Sequence, residues 1–252
     1  MRLRFVLLLM AMSIIVPACG SAAAGELLIV GAHFARVFER TTSGEYVGLG
    51  PDIMRAVAQR TGDRVRFEIY PWARAQALVE QGLADVLVGP YKTAEREARF
   101  AFAARPFYQD EMVFYVRSAD HPAWDGNYAL LRTNRVAAVN GWVYGSAFDR
   151  AREELRVGNA GTLENGLLML VYERIDLFAT NRRNTEAAID VLQMRGAVKP
   201  ITPIIDTQQG YFAFPKRSSH DELRQRFNRA FNDMIDKGEL ASLARKHGVI
   251  IP

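Results

Sequence analysis

Arg96 closes the tetrad Thr93-Ala94-Glu95-Arg96, just after the tripeptide Gly89-Pro90-Tyr91 and downstream of Pro71-Trp72. A guanidinium is a rigid fork of N–H donors that meets a carboxylate with two parallel hydrogen bonds. Aromatic rings such as Trp72 and Tyr91 beside it can wall a small pocket. That set of groups suits recognition of a small anion better than the breaking of a bond. The residues alone leave two alternatives open. Arg96 could be an exposed side chain paired with Glu95 or Glu97, and Trp72 could simply pack on the first helix.

Catalytic patterns are missing. No HExxH, CxxC, GxSxG, Walker or GxGxxG motif occurs, and the four histidines, His33, His121, His220 and His247, are scattered. Neither a cofactor nor a metal is therefore expected. The acid–base pair that can be nominated is His33 with Glu68 or Asp110, and general acid–base chemistry would need it inside one cleft.

The elements that must position these groups alternate. Leu27 to Gly31 reads as a buried strand and Glu39 to Val47 as a hairpin or loop. Gly50-Pro51-Asp52 starts a helix, with Asp52 as a capping acid and Gly62 as the stop. Val65 to Tyr70 is a strand, Trp72 to Gln81 a helix, Ala84 to Val88 a strand, and Thr93 caps a short helix. Further strands are expected at Glu111 to Arg117, Arg135 to Asn140 and Asp176 to Thr180, with helices at Ser146 to Glu154 and Leu163 to Tyr172. Such alternation predicts two α/β halves on a mainly parallel sheet. In the tail, Ser219 and Glu222 form a capping box, and Leu223, Phe227, Phe231 and Met234 give a core-facing stripe. A last helix runs through Leu240, Leu243 and Ala244 to Gly248.

The start of the chain bears on where it works. Arg2 and Arg4 precede an apolar run from Phe5 to Val16 and small residues at Ala22, Ala23 and Ala24, the pattern of a secretory signal peptide over residues 1–24. The run falls short of the roughly 18 apolar residues that a membrane anchor needs. Cleavage after Ala24 is one outcome; Val16-Pro17-Ala18-Cys19 resembles a lipobox, so lipidation of Cys19 is the other. Cys19 is the single cysteine, which leaves the exported chain without disulfides or a cysteine metal cluster. Losing Arg2 and Arg4 halves the formal net charge of +4. With no block of like charges, nucleic acid is not an expected partner.

The stretches GLGPDIMRAVAQRTG, PWARAQALVEQGLADVLVG, TAEREARFAFAARPFY and the tail from FAFPKRSSHDELRQRF onward resemble, in the same order, the bacterial extracellular solute-binding proteins of family 3, the polar amino-acid-binding components of ABC importers. The resemblance implies an α/β fold of the periplasmic binding protein type II kind, two lobes joined by two hinge strands with a ligand cleft between them. Lobe 1 would comprise residues 25–109 and 211–252, and lobe 2 residues 110–210. The crossings would fall near Phe107 to Asp110 and Gly210 to Phe212. The protein would be a periplasmic, monomeric receptor, possessing no enzymatic activity, that hands a small solute to an ABC permease in the inner membrane.

The same resemblance gives Arg96 the role of gripping the ligand carboxylate, with Gly141 in the turn Val139-Asn140-Gly141-Trp142-Val143 adding backbone N–H groups. Trp142 stands where smaller hydroxyl residues are common, and Gly89-Pro90-Tyr91 where a Ser-rich loop is. Asn181 and His33 occupy the places of acidic residues, the first being the usual partner of the α-ammonium. A small organic anion, or an amino acid modified to lack its free ammonium, thus stands beside a standard amino acid as the expected ligand. Glu68 or Asp110 folded into the cleft would restore the missing acid. An enzyme on the same scaffold, of dehydratase type, and a sensory ligand-presenting protein are the other readings.

Overall fold

The computed structural model describes residues 26–252. The leader reading, with cleavage after Ala24 or modification of Cys19, lies outside the described residues. Among those described, no helix is long and apolar enough to cross a membrane.

Residues of the first half build a sheet from β1 (Glu26–Gly31), β4 (Arg64–Ile69) and β5 (Val86–Tyr91), with the small hairpin β2 (Glu39–Arg40) and β3 (Tyr46–Val47) to one side. β1 runs parallel to both neighbours, pairing Ile29 with Phe67 and with Val86. Helix α1 (Leu49–Thr61) buries Ile53, Met54, Val57 and Ala58, and ends where Gly62 takes a left-handed conformation, as its sequence predicts. Helix α2 (Trp72–Glu80) follows β4, while α3 (Ala94–Arg99) and β6 (Phe100–Phe102) follow β5. Helices α7 (Asp221–Asp236) and α8 (Glu239–His247) return from the far end of the chain to pack on α1. Phe227, Phe231 and Met234 of α7 are fully buried there. Truncating a phenylalanine in such a place costs about 3–5 kcal/mol.

The second half repeats the plan on β8 (Val136–Val139), α4 (Ser146–Ala151), β9 (Gly158–Ala160), α5 (Leu163–Val171), β10 (Leu177–Asn181), α6 (Arg182–Val191) and β11 (Val198–Pro200). β8 is parallel to β9 and β10, and a second core of Val113, Tyr115, Leu167, Leu170 and Phe178 sits between sheet and helices. Two ten-residue strands, β7 (Tyr108–Arg117) and β12 (Asp206–Pro215), carry the chain from one half to the other. They are antiparallel, with Gly210 opposite Tyr108. A side chain at Gly210 would stand 1.9 Å from the Tyr108 ring, so the crossing needs glycine at that point. Phe107 stacks on Phe212 at 4.2 Å and stiffens the same place.

Several expectations are corrected. The sheet is parallel only inside each half, because β5, β12, β7 and β10 meet antiparallel across the middle. β5 does not stop at Val88 but runs through Gly89 and Pro90 to Tyr91. Its pairing with β12 slips between Gly210 and Phe212, a bulge that accommodates a proline with no N–H to donate and a Gly89 φ of 88°. Asp52 does not cap α1; it accepts hydrogen bonds from Lys246 and His247 of α8 at 2.7 and 2.8 Å. Nor do Ser219 and Glu222 form a capping box, since residues Ser218–His220 make a 3-10 turn before α7 and no side chain caps that helix. Helix α6 and strand β11 are additions that the sequence pattern does not announce.

Candidate functional site

The bulged end of β5 and the start of α3 bring Tyr91 and Arg96 together. Thr93 is the N-cap of α3, its Oγ1 accepting the Arg96 N–H at 3.2 Å, and this turn aims the guanidinium back under the sheet. Arg96 is only 6% exposed. It donates from Nη1 to the Tyr91 carbonyl at 3.0 Å and from Nη2 to the Gly141 carbonyl of the second half at 3.2 Å. Its guanidinium carbon lies 5.6 Å from the Trp72 ring centroid. No carboxylate lies within ion-pair distance of Arg96 among the described residues; Glu95 and Glu97 pair with Arg99 and Lys92 instead. Burial draws the Arg96 pKa below its ordinary value, with Tyr91 and Tyr108 opposing that shift. The exposed, ion-paired alternative is thereby corrected: the charge is enclosed and meets only carbonyl oxygens and rings.

Around it lies a small cavity between the halves. Phe34, Trp72, Tyr91, Tyr108 and Trp142 give it aromatic walls. Gly89, Val143 and Asn181 complete the lining beside Arg96. It encloses about 20 Å³, room for roughly one water molecule. Phe34 meets Trp72 edge-on at 5.4 Å, which fixes both rings.

Behind the lining runs a buried polar chain. The Tyr91 hydroxyl donates to Asp110 Oδ2 at 2.7 Å and accepts from Asn181 Nδ2 at 3.3 Å. Burial, and then the Asp110 charge, push the Tyr91 pKa well above its usual value, so the phenol stays protonated. Asp110 is in turn held by Arg183 of α6 through two bonds, Nε to Oδ1 at 2.8 Å and Nη2 to Oδ2 at 2.7 Å. Arg183 also donates to the Ala35 carbonyl, and Asn184 Oδ1 accepts the Ala35 N–H at 2.9 Å, so α6 is tied to the loop after β1. Tyr108 donates to the Gly89 carbonyl at 2.8 Å.

Of the residues singled out from sequence, Trp72, Gly89, Tyr91, Arg96, Trp142 and Asn181 converge on this cavity. Gly141 reaches Arg96 through its carbonyl, which accepts from Nη2. His33 is turned away. Its side chain is 64% exposed, its Nε2 is 3.8 Å from Glu39, and it lines a neighbouring hollow of about 410 Å³ with Ala35 and Asn184. Glu68 does not enter the cavity; it accepts from Tyr46 and Arg66 on the outer strand. Asp110 lies under Tyr91 and is neutralised by Arg183, so neither carboxylate replaces the missing acid in the lining. Phe34, Tyr108 and Arg183 belong to the site and carry no motif that marks them. Among the described residues no group of three or more His, Cys, Asp or Glu could hold a metal ion.

Known proteins share this fold. The chain is 23% identical over 254 residues to the "Probable amino-acid-binding protein YxeM" of Bacillus subtilis (strain 168), covering 96% of this chain and 93% of that one. A histidine kinase sensor domain similar to periplasmic binding proteins superposes with a TM-score of 0.79 at 19% identity, over 90% of this chain and 98% of that one. An ancestral arginine-binding protein bound to arginine superposes with a TM-score of 0.74 at 19% identity, over 88% and 97%. The model of the bacterial extracellular solute-binding proteins, family 3, matches residues 29–249, and the chain belongs to that family.

Proposed function

We propose that this protein captures a small polar or anionic solute, an amino acid or a related carboxylate, between its two halves and delivers it to an ABC-type permease. One observation carries the reading: a guanidinium, enclosed where the halves meet, whose protein partners are carbonyls and an aromatic face. A buried cation without a counter-ion is costly, and a carboxylate that forks onto it repays desolvation with two charge-assisted bonds. Residues 25–109 with 211–252 would move as one body and residues 110–210 as the other, hinged at β7 and β12. A ligand can shift that equilibrium only by its preference for the closed form. The leader pattern supports work outside the cytoplasm, in the periplasm, free or tethered through Cys19.

An enzymatic reading finds no assembled pair. His33 faces solvent beside Glu39, and Asp110 is locked by Arg183. The family and the curated relative are binding proteins. The test is thermal unfolding against a solute panel, with mass spectrometry of the recovered solute. A solute should raise the melting temperature and be recovered intact, and Arg96→Ala should abolish the rise. An unchanged response in that variant would remove Arg96 as the anchor.

A further inference from the structure

The geometry points to a guest that carries a carboxylate and no free ammonium group, on a small and partly apolar body. This rests on the binding reading above and narrows it. As closed, the cavity has room for about one water, so the guest enters as the halves part, and what selects it is the charge balance of the groups that line the cavity. Asp110 and Arg183 cancel one another in a bidentate pair, and Arg96 remains as the one uncompensated charge of the lining. A monoanion neutralises it. A zwitterion brings a carboxylate for Arg96 and then leaves its ammonium to be desolvated somewhere else in the same wall.

That wall offers the ammonium little. The lining contains no acidic residue. Two of its oxygen acceptors already hold one bond each, the Gly89 carbonyl from the Tyr108 hydroxyl at 2.8 Å and Asn181 Oδ1 from the Asn184 N–H at 2.9 Å, where it caps α6, so what is left for an ammonium is neutral and partly used. The Tyr91 hydroxyl spends its proton on Asp110 and takes a bond from Asn181. Ring faces could hold a cation, but guanidiniums already sit over two of them, Arg96 on Trp72 at 5.6 Å and Arg183 on Tyr108 at 5.1 Å. The side chains of Phe34, Tyr91, Trp142 and Val143 offer an ammonium a ring face or apolar surface and no negative charge. Arg96, by contrast, uses two of its five N–H donors and keeps the rest for a carboxylate.

The experiment compares probes that differ only in the amino group, by calorimetry on the full exported chain. L-phenylalanine is set against 3-phenylpropanoate and N-acetyl-L-phenylalanine, L-leucine against 4-methylpentanoate, and L-glutamate against glutarate. The ammonium-free member of a pair should bind about tenfold to a hundredfold tighter, the usual penalty for a buried polar group that is poorly satisfied, since neutral acceptors and ring faces compensate the ammonium in part. Binding should vanish in Arg96→Ala. Asn181→Asp keeps the α6 cap and places a carboxylate at the lining, so it should reverse the order within the pair. Amino acids that bind as tightly as their counterparts, with the same dependence on Arg96, would overturn this inference and leave the binding reading standing. A panel in which no carboxylate of either kind binds would overturn both.

Discussion

At the scale of single residues, the site rests on how two arginines are neutralised. Arg183 has its acid inside the fold, whereas Arg96 does not. Removing Asp110 should therefore be severe: Asp110→Asn strands a buried guanidinium and should lower unfolding free energy by about 3–5 kcal/mol, read from the midpoint of a denaturant titration. A loss below about 1 kcal/mol would mean that solvent or another acceptor takes over for Arg183. The sequence made Trp72, Tyr91 and Arg96 legible because each stands at the joint of a strand and a helix, where side chains point into a cleft. His33 enters through the resemblance alone, since beyond the end of β1 no strand alternation says which of two consecutive residues turns inward. The chain turns Phe34 inward and His33 outward. Arg183 was illegible for a different reason: its partner Asp110 is 73 positions away, and only the pairing of β7 with β10 brings them together.

At the scale of elements, the short helix α3 matters beyond its six residues because Arg96 leaves from its first turn. Thr93→Ala removes the hydroxyl that accepts the Arg96 N–H, and should cost about 1 kcal/mol of stability. It should also weaken carboxylate binding, and a calorimetric titration that shows unchanged affinity would separate the cap from the anchor. Most elements were readable: α1, α2, α5, α7 and α8 each carry a glycine stop or an apolar stripe that fixes their ends. Helix α6 was not, because its buried face is only Thr185, Ala188 and Ile189 and it begins with no linker, Asn181 being both the last residue of β10 and the cap. The antiparallel seam was hidden as well. Periodicity reports which face of a strand is buried, not the direction of its neighbour.

At the scale of the whole molecule, two strands and a few polar contacts join the halves. The contacts run from Ala35 to Arg183 and Asn184, from Tyr91 to Asp110 and Asn181, and from Arg96 to Gly141. The last of these has a kinetic consequence. The clasp from Arg96 to a backbone oxygen of the opposite half spans the mouth of a cavity with room for about one water, so an arriving acid reaches the free N–H groups of the fork only after that clasp loosens. Observed association rates, followed by the fluorescence of Trp72 and Trp142, should level off at high solute concentration at the frequency with which the clasp lets go; a rate that climbs without limit would show that it imposes no delay.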